Sequence, residues 1–407
     1  MKRQLRQTSR RNFWLQILGG TSFIIALQFG NPRLVLPWIS QHLGVAYIFV
    51  ALMVPLFQSG LVISQLLAGS VVSRVALRKG LVSRVGLVLA GLFVVIFLAS
   101  KTLSPELAAS VLLACATLFG LALGLFNVSG ADLLAKTVHP SVRGRVLNQR
   151  VAFGGFATLA ATVAIWTLLP DLAGDHLILL WLAVGAWVGA AAAYVLVREL
   201  ASTPTVGGTH RPNWRQSLSL VAAHRWYARL LLGGVLLQSV EVAVPFYAIH
   251  AASLHAPNAS NLSAFVVAMA LGMALSGPLW SRVIDRHEMW VAVAACMLAI
   301  GAGLLVLVMD LLGDPTAPFY HAFLFVPLAL ARESAVQARE RRLSVKAPPD
   351  DRPAMVAFNN ALLALAGISV ALVLALAGHL HDIRTPLVML IITNIVAALY
   401  VPRAFAD

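Results

Sequence analysis

The feature that most constrains this chain is the recurrence, from one end to the other, of apolar stretches long enough to cross a bilayer. A spanning helix needs about 20 mostly apolar residues. Such stretches cover 14–40, 46–72, 82–100, 107–135, 150–169, 176–197, 227–251, 262–284, 289–309, 317–338, 354–377 and 385–402, with short polar gaps between them. Hydrophobic residues make up 59% of the 407 and charged ones only 11%, so a water-soluble surface cannot be assembled from the remainder. In lipid, where backbone groups find no water, this pattern predicts an all-α membrane protein of twelve transmembrane helices.

The net charge of +14 raises the question of nucleic acid, and the placement of the 30 Lys and Arg residues answers it. With the N-terminus in the cytoplasm, Lys101 and Arg384 fall in outer loops, Arg33 and Arg332 fall inside spans, and the rest lie at cytoplasmic loops or edges. This asymmetry is the positive-inside rule, and it predicts an inner-membrane protein with both termini cytoplasmic. Basic residues scattered over separate segments make no nucleic-acid face.

Near the N-terminus, Ser9-Arg10-Arg11-Asn12-Phe13 resembles a twin-arginine export signal. The apolar run after it exceeds signal length, lacks an A-x-A type cleavage site and precedes many further spans, so it reads as an uncleaved first helix. Cys115 and Cys296 stand in different spans without C-x-x-C spacing, as small packing residues do.

An internal repeat is the most specific signal. Gly69-Ser70-Val71-Val72-Ser73-Arg74-Val75-Ala76-Leu77-Arg78 follows the second span, and Gly277-Pro278-Leu279-Trp280-Ser281-Arg282-Val283-Ile284-Asp285-Arg286 follows the eighth. Both read G-x-x-x-S-R-V-x-x-R, displaced by 208 residues. The same displacement lays Arg33-Leu34-Val35-Leu36-Pro37-Trp38 on Glu241-Val242-Ala243-Val244-Pro245-Phe246, and His42 on His250. Two six-helix halves are therefore expected, 1–197 and 227–407, joined by a cytoplasmic linker over 198–226. Pro204, Gly207, Gly208 and Pro212 break that linker. Trp214, Leu218 and Val221 then stand at helical spacing, as in a short helix on the membrane surface, although a merely flexible connection fits as well.

Six plus six helices, a long central linker and a basic loop of the form G-x-x-x-D-R-x-G-R-[RK] after the second and eighth helices resemble the major facilitator superfamily. The resemblance covers nearly the whole chain. It implies two parallel six-helix bundles related by an axis along the membrane normal, with a solute site near the midplane. The sequence departs from the family loop: Ser73 and Ser281 stand where the family has an acidic residue, and Ala76 replaces a glycine. In the family that aspartate resembles a latch holding the cytoplasmic side shut. Gly69, Ser73, Arg74, Arg78, Gly277, Ser281, Arg282 and Arg286 are thus the expected loop and gate residues. Asp132 and Glu340, also 208 residues apart, are candidates to supply the missing counter-charge. Positive-inside anchoring accounts for the basic residues equally well.

Ionisable groups retained in hydrocarbon cost about 3 kcal/mol or more on insertion scales and usually face a cavity. Arg33 follows Asn31-Pro32, where proline removes a backbone donor and kinks the first span, and Glu241 lies near the middle of the seventh. By the repeat they occupy equivalent stations with opposite charges. We expect them to pair across a central cavity, and protonation of Glu241 or an anionic substrate at Arg33 to break the pair. Self-neutralisation that merely permits insertion is the alternative. Gln28, Asn31 and Gln238 flank the two charges and are the expected solute contacts. Arg332 and Glu333, adjacent on one helix and so about 100° apart, cannot face one partner. Gly120, Gly124, Gly154, Gly155 and Gly272 read as close-packing positions.

No P-loop, H-E-x-x-H, clustered Cys/His set or G-x-S-x-G elbow occurs, so no catalytic residue, metal ligand or cofactor is expected. The expected partners are the lipid bilayer, a small-molecule substrate and protons, with the chain acting as a monomer. The reading is a secondary active transporter working by alternating access, with proton-coupled export of a small organic or amphiphilic compound. Uptake of an anionic solute bound by Arg33 is the second reading, and a non-transporting receptor or scaffold the third. Gly154-Gly155 lacks the following proline of the family's antiport signature.

Overall fold

The structure is a computed structural model describing residues 2–168, 175, 177–201, 214–255, 258–280, 283–312, 318–348 and 351–406. The described residues form helices and no strand. In the first part of the chain these are α1 (Lys2–Phe29), α2 (Val35–His42), α3 (Tyr47–Ser73), α4 (Arg78–Thr102), α5 (Pro105–Thr137), α6 (Pro140–Leu168) and α7 (Ile178–Val195). The remainder comprises α8 (Trp214–Ala223), α9 (Arg225–Glu241), α10 (Ala243–Leu254), α11 (Ala259–Trp280), α12 (Ile284–Leu312), α13 (Pro318–Lys346), α14 (Arg352–Leu380) and α15 (Thr385–Ala404).

Among the described residues, ten helical segments are long and apolar enough to cross a membrane. They correspond to all the expected spans except the first and the tenth. The first is cut in two between Phe29 and Val35, and the tenth, α13, carries Arg332, Glu333, Arg339, Glu340, Arg341 and Arg342 along one unbroken helix. Both stretches are helical; the break and the charges interrupt their apolar runs.

Two compact units result. One comprises 1–45, 56–209 and 257–267, and the other 46–55, 210–256 and 268–407. Their division lies within the expected linker, but short stretches at the starts of α3 and α11 cluster apart from the rest of their helices.

The first unit is built on aromatic rings. Phe119 and Phe126, seven residues apart on α5, present one face to Trp187 of α7, with ring centroids 6.2 and 5.2 Å away. Phe93 of α4 and Phe23 of α1 close the cluster at 5.2 Å from Phe119 and Phe126. Edge-to-face and stacked geometry of this kind adds to the packing energy of the rings themselves. Here α5 also approaches α3 so closely that a Cβ on Gly120 would lie 2.0 Å from the Phe57 carbonyl oxygen.

The second unit packs through small residues instead. Ala292, Ala295 and Ala299 of α12 and Ala331, Ala335 and Ala338 of α13 recur every three to four positions, all buried, with Cys296 among them. Helices in lipid lack a hydrophobic drive to associate, and small side chains let van der Waals contact replace it. A Cβ on Gly272 of α11 would fall 2.4 Å from the Val326 carbonyl oxygen of α13. The short α8 lies against α9 and α14, with Leu220 and Val221 on the core and Leu218 exposed.

Outward faces are apolar too. Phe156 is 73% and Leu399 74% exposed, beyond what water tolerates in quantity.

Because backbone cannot yield as a side-chain tip does, Gly120→Val is expected to destabilise the fold by about 1–3 kcal/mol. Gly155, with nothing within 4 Å of a Cβ, should accept alanine silently. Thermal unfolding in detergent distinguishes the two.

Candidate substrate and coupling site

Both expected intramembrane charges sit where a helix is interrupted. In the first unit, α1 ends at Phe29, the Asn31 side-chain oxygen accepts a hydrogen bond from the Arg33 backbone N–H at 2.9 Å, and α2 begins at Val35. Proline at 32 has no N–H to continue the ladder, and the Asn31 carbonyl takes up the Leu34 and Val35 amides instead, at 3.2 and 2.7 Å. In the second unit, α9 ends at Glu241 and α10 starts at Ala243, with Val242 outside helical geometry at φ −95°, ψ 2°. Pro245 lies in the first turn of α10, where a missing N–H costs no intrahelical bond. The 208-residue repeat thus extends from sequence to backbone: a break falls at each of the two equivalent stations.

Glu241 is held within its own unit. Arg339 Nη1 of α13 donates to Glu241 Oε1, and Gln238 Nε2, one turn back on α9, donates to the same oxygen at 3.2 Å. The Arg339 and Glu241 side chains are 7% and 15% exposed, so the pair is largely desolvated. Gly234 makes room for it: a Cβ there would stand 3.2 Å from Arg339 Cδ and 2.8 Å from Leu363 Cδ2. Nearby on α9, the Ser239 hydroxyl is bonded to the Leu236 carbonyl and to Asn394 Oδ1 of α15.

Arg339 is missed by the sequence reading, in which the tenth span ends at residue 338 and the basic run beyond lies at the cytoplasmic edge. α13 continues to Lys346, and Arg339 lies two turns from Arg332, on the same helical face. That seven-residue spacing was the available signal. Arg332 and Glu333 partner each other, with Arg332 Nη1 bonding Glu333 Oε1 at 2.6 Å. Long side chains can bend back where their Cβ atoms diverge.

In the first unit a cleft of about 380 Å³ opens between α1, α5, α6 and α7. Phe23, Phe126 and Tyr194 give it aromatic walls, and Asn127, Arg143 and Arg150 its polar groups. Arg150 is fixed by donating to the Gln16 carbonyl at 2.8 Å and to the Gln16 side-chain oxygen, while Gln16 Nε2 donates to Thr137 Oγ1 at 2.9 Å. Gln28 is buried on α1, and Asn31 and Arg33 are half-buried.

The two loop motifs have diverged. Arg78 is buried at the start of α4, with Nε 2.8 Å from Asp132 Oδ2, and Lys136 Nζ lies 3.2 Å from the same oxygen. The Arg78 and Lys79 backbone N–H groups donate to the Glu199 carboxylate at 3.0 and 2.9 Å, which places a negative charge on the helix N-terminus. Glu199 lies far from the motif in sequence, and nothing there marks it. In the second copy Arg286 and Glu340 are exposed. Elsewhere on α13, Arg342 Nη1 lies 3.1 Å from Glu288 Oε1, and Arg342 also donates to the Phe405 and Ala406 carbonyls. Position 340 faces away from the buried side of α13 that 339 and 342 share. Gly69 and Ser73 lie in the last turns of α3, Arg74 and Gly277 are exposed, and Ser281 and Arg282 lie outside the described residues.

The profile of the Major Facilitator Superfamily matches residues 18–331. The chain belongs to that superfamily. Uncharacterized proteins of Mycobacterium tuberculosis and Mycobacterium bovis are 23% identical to it, over 99% of this chain and 79% of theirs. Among solved structures, a POT family transporter in complex with a thioalcohol-conjugated peptide superposes with a TM-score of 0.68 at 11% identity, covering 98% of this chain and 96% of that one. The nucleoside transporter NupG gives 0.60 at 14% identity, covering 98% and 99%. At such identities the likeness concerns the superfamily fold. The chain is a multi-pass membrane protein of the secondary-transporter type, and its superfamily points to transport rather than to an enzyme.

A double-mutant cycle between Arg78 and Asp132 is expected to give a coupling of about 0.5–3 kcal/mol in unfolding experiments. The same cycle on Arg286 and Glu340 should give none.

Proposed function

We propose that this superfamily member is a proton-coupled exporter of a small organic or amphiphilic compound, with Glu241 as its coupling group. The observation that carries this reading is the largely desolvated contact of Glu241 with Arg339, placed at the break between α9 and α10. A charged carboxylate in that position holds α9 to α13 through a charge-assisted hydrogen bond. Protonation removes the charge, weakens the bond and frees the hinge at Val242, so occupancy by a proton biases one conformation against another. Broken helices with buried polar groups are the usual places where secondary transporters bind solutes and ions.

Arg33 of the first half, the repeat counterpart of Glu241, is the second charge of the cycle in this proposal, with Gln28, Asn31 and Gln238 as solute contacts. The aromatic and cationic lining of the cleft in the first unit suits the body and polar end of an amphiphile. The NupG and POT structures belong to transporters of different solutes on one fold, so the fold itself does not select the cargo. Both termini are cytoplasmic and the membrane is the inner one in this reading, following the distribution of Lys and Arg.

A thermal-shift screen of the purified protein against metabolites and drugs, run at two pH values, tests the proposal. A bound solute at about 100 times its Kd stabilises the folded state by about 2.7 kcal/mol. We expect hits whose shift depends on pH, and loss of that dependence in Glu241→Gln. Proton-driven flux of such a hit in proteoliposomes should vanish in the same variant while the fold persists. Unchanged flux and pH dependence in Glu241→Gln would refute the coupling role, and binding without flux in the unmodified protein would favour a receptor. An anionic hit accumulated inward and lost in Arg33→Ala would instead support the uptake reading.

A further inference from the structure

A second buried polar cluster in the second unit takes no part in that scheme. His250 lies on α10, Asp310 near the end of α12 and His321 in the first turns of α13. His250 and His321 are 2% and 3% exposed, and the Asp310 side chain 4%. His250 Nε2 lies 3.2 Å from Asp310 Oδ1, and His321 Nδ1 lies 3.0 Å from His255 Nε2. Arg384 Nε, at the start of α15, lies 2.9 Å from Asp310 Oδ2. His250 Nδ1 and His321 Nε2 are buried without a hydrogen-bond partner among the described residues.

A buried ring nitrogen with no partner is costly, and two of them beside a buried carboxylate are donors of the kind that a metal ion satisfies. One donor atom from each of His250, Asp310 and His321 lies within 4.8 Å of the others. Two donors about 2.1 Å from one ion stand at most about 4.2 Å apart, so small side-chain rotations make these three converge. Two imidazoles and one carboxylate suit a borderline divalent ion; Mg²⁺ and Ca²⁺ favour all-oxygen sites, and no thiolate is present for softer ions.

We propose that His250, Asp310 and His321 bind a divalent transition cation of the zinc class. His255 is the positioning residue: accepting the His321 Nδ1–H, it leaves the His321 Nε2 lone pair for the metal. Arg384, whose side chain is 53% exposed, is a removable counter-ion that neutralises Asp310 until the cation arrives. The bound ion joins α10, α12 and α13, and so fixes the half of the broken seventh span that follows Glu241. The sequence hides this site because its ligands are 60 and 11 residues apart, with no local Cys/His spacing.

The experiment uses full-length protein purified without a histidine tag and stripped with EDTA, then titrated with Co²⁺. A visible d–d spectrum saturating at one equivalent and displaced by Zn²⁺ but not by Mg²⁺ is expected. His250→Gln and His321→Gln should each abolish it, His255→Gln should weaken Zn²⁺ affinity about 10–100-fold, and Arg384→Gln should strengthen it. X-ray absorption of the Zn²⁺-loaded unmodified protein requires no variant to fold, and should show imidazole scattering at about 2.0–2.1 Å. No saturable Co²⁺ spectrum, a spectrum unchanged in both histidine variants, or a zinc shell without imidazole would overturn the proposal.

Discussion

A charged group within an apolar bundle must be matched or neutralised, and in the second unit Glu241 is matched by a cation from a neighbouring helix. The carboxylate lies at the end of α9, where the helix stops and leaves carbonyls without intrahelical partners. A negative charge at a helix C-terminus opposes the dipole, so an external cation is needed. Arg339 supplies it from α13, and Gly234 provides the space through which the guanidinium stem passes. A buried pair of this kind is poor evidence for stability as such, because desolvation offsets much of its attraction. Its retention fits a role in switching better than a role in holding the fold together.

The two halves reach similar plans by different packing. Aromatic rings centred on Trp187 organise the first unit, and an alanine seam between α12 and α13 organises the second. Helix breaks recur at Arg33 and Glu241, 208 residues apart, whereas the surroundings of the two basic loops differ. Arg78 keeps a carboxylate partner in Asp132, whereas the equivalent Arg286 is exposed and Arg342 pairs with Glu288. In the first copy the serine in place of the superfamily's loop aspartate therefore coexists with a counter-charge taken from α5.

Hydropathy sufficed to read the helical class and most spans, because length and apolarity are local properties. The repeat added the correspondence of Arg33 with Glu241, and Pro32 marked the first break. What the sequence concealed were contacts set by tertiary packing. Glu199 caps α4 from beyond α7, Arg339 reaches Glu241 across 98 residues, and His250, Asp310 and His321 converge from three helices. Hydropathy truncates the tenth span at its charges, whereas a helix can carry charges inward as long as each finds a partner. Glu340, the repeat counterpart of Asp132, is exposed on α13.

The claim on which the functional reading rests is that Glu241 exchanges a proton while the bundle stays folded. The most direct test is a pH-difference infrared spectrum of the purified protein in lipid, compared with that of Glu241→Gln. The account predicts a protonated-carboxyl band in the unmodified protein that disappears in the variant, together with an altered guanidinium band from Arg339. Identical spectra from the two proteins would contradict it.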